Sequence, residues 1–105
     1  MRNDMKAWTL AAAAALCLTG CSSKPSQGEA KQALADLMAQ SASAPVVTID
    51  GFTLTACTRA EDADGYRCDT RGTVVMDMMG NRVPLPVDKN LRYAKTDGTW
   101  KAYAQ

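Results

Sequence analysis

An apolar run opens six residues from the N-terminus and stops three residues before Cys21, and it sets how much of this chain is left to fold. From Ala7 to Leu18 only Thr9 falls outside the apolar set, while the segment ahead carries Arg2 and Lys6 against a single Asp4. A positive start, an apolar stretch of about a dozen residues and small residues at its end form the pattern of a secretory leader. A membrane span would take about 20 apolar residues, more than the run supplies. The 47% hydrophobic content of the 105 residues therefore overstates the core, because the leader holds a large share of it.

Leu18, Thr19, Gly20 and Cys21 match the lipobox position for position, and on these residues the chain resembles bacterial lipoproteins. The resemblance covers only the leader. It implies cleavage between Gly20 and Cys21, a diacylglyceryl thioether on the Cys21 sulfur and acylation of the new amino terminus. Several acyl chains, each methylene contributing about 0.8 kcal/mol, hold a protein stably on a membrane. Ser22 stands where an aspartate would signal inner-membrane retention, so the resemblance favours the outer membrane, on its periplasmic side. An ordinary secreted protein or an N-terminal anchor helix is the competing reading.

Cleavage would divide the chain into a signal peptide (1–20), a lipidated tether (21–25) and a small domain (26–105). Losing Arg2, Lys6 and Asp4 from 12 basic and 11 acidic residues leaves ten of each. A neutral domain argues against nucleic-acid binding or a polybasic membrane contact. Cys17 leaves with the leader and Cys21 takes the lipid, so Cys57 and Cys68 remain as a pair in an oxidising compartment. A disulfide is the expectation, with a two-thiol metal or redox site as the alternative; ten intervening residues do not suit C-x-x-C redox chemistry.

Ser26 and Glu29 form an S-x-x-E capping box, and Ala30, Ala33, Leu34, Leu37 and Met38 then recur at intervals of three and four. The spacing predicts an amphipathic helix ending near Gln40, ahead of a small-residue connector from Ser41 to Pro45. Val46 to Ile49 reads as a strand, Asp50 and Gly51 as a turn or bulge. Beyond them Phe52, Leu54 and Ala56 alternate with Thr53, Thr55 and Cys57. A polar loop, Thr58 to Gly65, leads to a second strand, Tyr66 to Met79. Cys57 and Cys68 would staple the base of this hairpin, contributing roughly 2 to 3 kcal/mol in the chain-entropy model.

Gly80 and Asn81 signal a turn into Val83 to Val87, where Pro84 and Pro86 predict an edge strand or strap. Asp97 and Gly98 predict a type I′ turn that pairs Lys95 with Trp100 and Tyr93 with Ala102. That register would place Leu91, Tyr93, Trp100 and Ala102 under the helix and turn Arg92, Ala94, Lys101 and Tyr103 outward. The expected fold is α+β: one N-terminal amphipathic helix on a four- or five-stranded antiparallel sheet with one disulfide inside a hairpin. Its order of helix then strands is loosely similar to cystatin-like folds.

Histidine is absent, and no serine has a base and an orienting group placed to serve it, so an enzyme is not expected. Met76, Met78 and Met79 raise Cu(I) binding, yet strand alternation leaves only Met76 and Met78 on one face, where the plainer reading is core packing. Glu61, Asp62 and Asp64 lack the further ligands of a calcium loop and read as a solvated hairpin tip open to a basic partner. Arg67 and Arg71 flank Asp69 on one strand face, and with Tyr103 they offer a docking stripe. The expected function is a lipid-anchored, non-catalytic envelope module that binds an envelope protein or a cell-wall component and needs no cofactor beyond the Cys21 lipid. A small-ligand or Cu(I)-binding lipoprotein and a hydrolase inhibitor are the alternatives.

Overall fold

The computed structural model describes residues 24–104, in which one helix, α1 (Gln27–Ala42), precedes four strands: β1 (Val46–Arg59), β2 (Tyr66–Met78), β3 (Asn81–Thr96) and β4 (Thr99–Tyr103). The leader and Cys21 lie outside the described residues. Both halves of the capping box form: the Ser26 hydroxyl accepts from the Glu29 N–H at 3.1 Å, and the Glu29 carboxylate accepts from the Ser26 N–H at 2.9 Å. The helix runs two residues past its expected end at Gln40. Ser43 takes a left-handed backbone (φ 52°), which lets the Ala44 N–H return to the Ala39 carbonyl and Ala42 reach the core before Pro45. Ala30, Ala33 and Leu34 are buried, and Leu37 and Met38 pack against the same core.

The strands form one antiparallel sheet in chain order, β1 to β4. The helix lies against both outer strands, β1 and β4, more than against β2, so the sheet coils around it. Strand β1 can follow that curve because it is bulged in three places, between Val46 and Thr48, Asp50 and Thr53, and Thr55 and Thr58. Its core-facing side chains are Val46, Ile49, Phe52, Leu54 and Cys57. An unbroken strand would present every second residue, and each step of three in this series spans one of the bulges.

The bulge nearest the disulfide overturns the expected alternation. Ala56 is exposed, with a left-handed φ of 54°, and Cys57 takes the inward place expected of Ala56. Thr55 opposes Asp69 and Thr58 opposes Arg67, so Ala56 and Cys57 together face Cys68. The cysteines are bonded at a Cα–Cα distance of 4.1 Å, with Cys68 fully buried, and the disulfide joins β1 to β2.

The next turn sits one residue earlier than expected. Met79 and Gly80 are its central residues, both with positive φ (56° and 88°), and Met78 faces Asn81. That is the backbone of a type I′ turn, whose twist matches the strands it joins. Register follows from it along the whole β2–β3 ladder, including Pro84 opposite Val75 and Pro86 opposite Thr73. A proline nitrogen cannot donate, so it must point away from the ladder, here to the free edge that β3 keeps because β4 pairs only with Arg92–Thr96. The expectation of an edge strand thus holds for this half of β3.

The last hairpin takes its expected register, Lys95 opposite Trp100 and Tyr93 opposite Ala102, across Asp97 and Gly98. Ala94 departs from expectation. It is buried because Gly65 closes over it: a Cβ on Gly65 would collide with the Tyr93 carbonyl and lie 2.8 Å from the Ala94 Cβ. Below, Tyr93 is fully buried, and its hydroxyl meets the Thr70 hydroxyl at 2.7 Å. Thr70 Oγ1 also lies 3.3 Å from the Cys68 carbonyl, and either hydroxyl can donate in the Thr70–Tyr93 pair. Burial pushes the Tyr93 phenol pKa up, against a smaller opposing effect of Thr70.

Candidate functional site

The outer face of the sheet, turned away from the helix, carries polar side chains in rows that cross the strands. Thr55, Asp69 and Asn90 form one row and Thr53, Arg71 and Asp88 the next. Asn90 Nδ2 donates to Asp69 Oδ1 at 3.1 Å, and Arg71 Nε donates to Asp88 Oδ1 at 3.2 Å. These rows, with Lys89, line a shallow depression of about 430 Å³. Each side chain stands where it does because alternation puts odd residues of β2 and even residues of β3 outward, and the Met79–Gly80 turn sets which ones meet.

A third row runs from Thr58 through Arg67 and Arg92 to Tyr103. Two arginines directly opposite each other repel, and the loop between β1 and β2 folds back over them. Arg67 Nη2 donates to Asp62 Oδ1 at 2.9 Å, and Arg92 Nη1 donates to the Asp64 carbonyl oxygen at 2.8 Å. The Arg67 hydrogen bond holds the Asp62 carboxyl below the usual carboxylate range, assisted by the backbone of Asp62 itself and by the Arg67 charge. Arg92 also stacks on Tyr103, its guanidinium carbon 4.3 Å from the ring centroid.

The expected site residues are therefore partly gathered and partly separated. Asp62, Asp64, Arg67 and Tyr103 come together around Arg92, which the expected register of the last hairpin turned outward. Arg71 stands apart, bound to Asp88. Glu61 joins Arg59 and Arg67 in lining a small hollow beside the loop. Glu61, Asp62 and Asp64 are all exposed, the Asp62 carboxylate bound by Arg67 and Asp64 held to Arg92 through its backbone carbonyl. Met76 is fully buried and Met78 packs against the core, so both thioethers sit beneath the sheet rather than on its surface.

Asp88 and Asn90 were not among the expected site residues, and Thr53 and Thr55 were expected only as the polar face of their strand. A signal for the first two was present: taking Met79 and Gly80 as the turn's central pair places Asp69 opposite Asn90 and Arg71 opposite Asp88 by counting. Among the described residues there is no group of three His, Cys, Asp or Glu side chains that could hold a metal ion. No helix among them is long and apolar enough to cross a membrane. What the outer face presents chemically is paired hydrogen-bonding groups and one stacked Arg–Tyr unit. The chain matches no family model, no curated protein and no solved structure.

Proposed function

We propose that this protein is a lipid-anchored envelope protein whose folded part is a non-catalytic binding module. The Leu18 to Cys21 pattern supports attachment through Cys21, and Ser22 supports the outer membrane facing the periplasm. The Cys57–Cys68 disulfide fits that oxidising compartment. One observation carries the binding role: Arg92 and Tyr103 are stacked on an outer sheet face that the helix leaves open, and Arg and Tyr are among the side chains enriched at binding hot spots. The partner would be an envelope protein or a cell-wall component.

Two measurements test this reading. Radiolabelled palmitate should enter the wild-type chain and not Cys21→Ser, and crosslinking in intact cells should recover a partner at stoichiometric yield. The double variant Arg92→Ala, Tyr103→Ala should lose that partner while keeping the lipid. Equal labelling of Cys21→Ser would remove the anchor, and undiminished recovery by the double variant would remove the outer face as the contact.

A further inference from the structure

The turn between β2 and β3 holds out a side chain that the fold does not use. Met79 is 101% exposed, as open as in an unfolded peptide; among the described residues one other large apolar side chain is exposed, Val47 at 39%. The backbone gives no reason for a methionine there. The first central position of a type I′ turn has positive φ, 56° here, which asparagine, aspartate and glycine accept and a longer side chain resists. Backbone strain held without a packing contact in return is a feature that clusters at functional sites.

The chain has six methionines, of which Met38, Met76, Met78 and Met79 lie among the described residues. Their thioethers are chemically alike and differ in access. Met76 is fully buried, Met38 and Met78 are half-buried against the core, and Met79 alone of the four is open to solvent. Met76 and Met78 share the core face of β2, whereas the chain reverses at Met79 and Gly80, so the Met79 side chain projects from the tip.

The tip has room for a reagent and does not depend on the thioether. Nothing lies within 4 Å of the position a Cβ on Gly80 would take. The turn is closed by other groups: the Gly80 N–H donates to Asp77 Oδ1 at 2.9 Å, and Met78 pairs with Asn81.

We propose that Met79 is an oxidant-reactive modification site, converted to methionine sulfoxide by oxidants of the peroxide class ahead of the other described methionines, with the fold left intact. In this step the Met79 sulfur gives a lone pair to one peroxide oxygen and the O–O bond breaks. The second oxygen leaves as hydroxide and takes the proton of the first, so the products are the sulfoxide and water. The thioether is oxidised by two electrons and the peroxide is reduced. At Met79 the new oxygen is solvated; on Met76 it would be a polar acceptor buried in the core. The site is separate from Cys21 and from the Arg92–Tyr103 pair, so it stands or falls independently of the lipid-anchored binding reading.

The test treats the full chain with hydrogen peroxide, quenches at intervals and follows each methionine by tandem mass spectrometry, which separates Met78 from Met79. Met1 and Met5, outside the described residues, are scored apart. Met79 should oxidise several-fold faster than Met38 and Met78 and at least tenfold faster than Met76. In denaturing urea the four rates should converge, because access and not intrinsic reactivity sets the order. Protein oxidised at Met79 should keep the unfolding midpoint and the Cys57–Cys68 disulfide of the untreated chain. Oxidation of Met38, Met76 or Met78 as fast as Met79, the same order of rates in urea, or a lowered midpoint once Met79 is oxidised would each overturn the proposal.

Discussion

Cys57 reaches Cys68 because Ala56 is an extra residue: the two share the place opposite Cys68, and Ala56 turns outward with a left-handed backbone. A side chain makes that conformation unfavourable, by roughly 1–2 kcal/mol for an L-residue. Ala56→Gly should therefore stabilise the domain by about 0.5 kcal/mol, glycine's greater freedom in the unfolded chain offsetting part of the gain. Deleting Ala56 should restore plain alternation with Cys57 inward and alone opposite Cys68, so the disulfide should still form and no free thiol should appear. Denaturant melts and thiol titration measure the two effects.

Met79 occupies the first central position of a type I′ turn, with φ 56° and its side chain fully exposed. Asparagine tolerates this backbone far better, and Asn–Gly is the preferred pair for such turns. Met79→Asn should raise the midpoint of thermal unfolding, by a stabilisation of about 0.5–1 kcal/mol, without changing the β2–β3 register. A lower midpoint would mean that the turn is not type I′ in solution.

Thr70 and Tyr93 form a buried polar pair, and each end depends differently on the other. Thr70→Val would strand the phenol without its partner, at a cost of about 1–3 kcal/mol. Tyr93→Phe leaves Thr70 its bond to Cys68 and should cost less, about 1 kcal/mol. The double variant should be less destabilised than the sum of the two, and a double-mutant cycle by urea unfolding reads the difference.

Stability should fall at both ends of the pH scale, for opposite reasons. Glu29 is lowered chiefly by the Ser26 N–H and Asp62 chiefly by Arg67, so each favours the folded state above its ordinary pKa, 4.5 and 3.8 respectively. That contribution is lost as pH falls through their folded values. Tyr93 is raised by burial, so its contribution is complete below its ordinary value of 10.0 and is lost as pH rises through and beyond it. Asp62→Asn should flatten the acid limb alone, and Tyr93→Phe the alkaline limb alone, in melts recorded from pH 2.5 to about 11.

Alternation along β2 put Arg67, Asp69 and Arg71 on one face, but the rows they form across the outer face depend on a register that spacing within one strand does not set. Yet β2 and β3 pair by simple counting once Met79 and Gly80 are placed in the turn. The obstacle there was a methionine in a position that asparagine or aspartate usually fills. For β1 no such shortcut exists, because two of its three bulges carry no glycine to announce them.

The sequence by itself determined what neighbours along the chain decide. Ser26 and Glu29 start the helix, Asp97 and Gly98 set the last hairpin's register, and Leu34, Leu37 and Met38 mark the helix face that docks. Each depends on stereochemistry within a few residues. Tertiary structure alone decided where β1 bulges, that Gly65 folds the acidic loop over Ala94, and that Arg67 and Arg92 meet beneath Asp62 and Asp64. Those outcomes depend on fitting a long strand around the helix while keeping Val46, Ile49, Leu54 and Cys57 inward. Residue spacing reports which side chains must be buried; only the packed sheet shows where the backbone must yield to bury them.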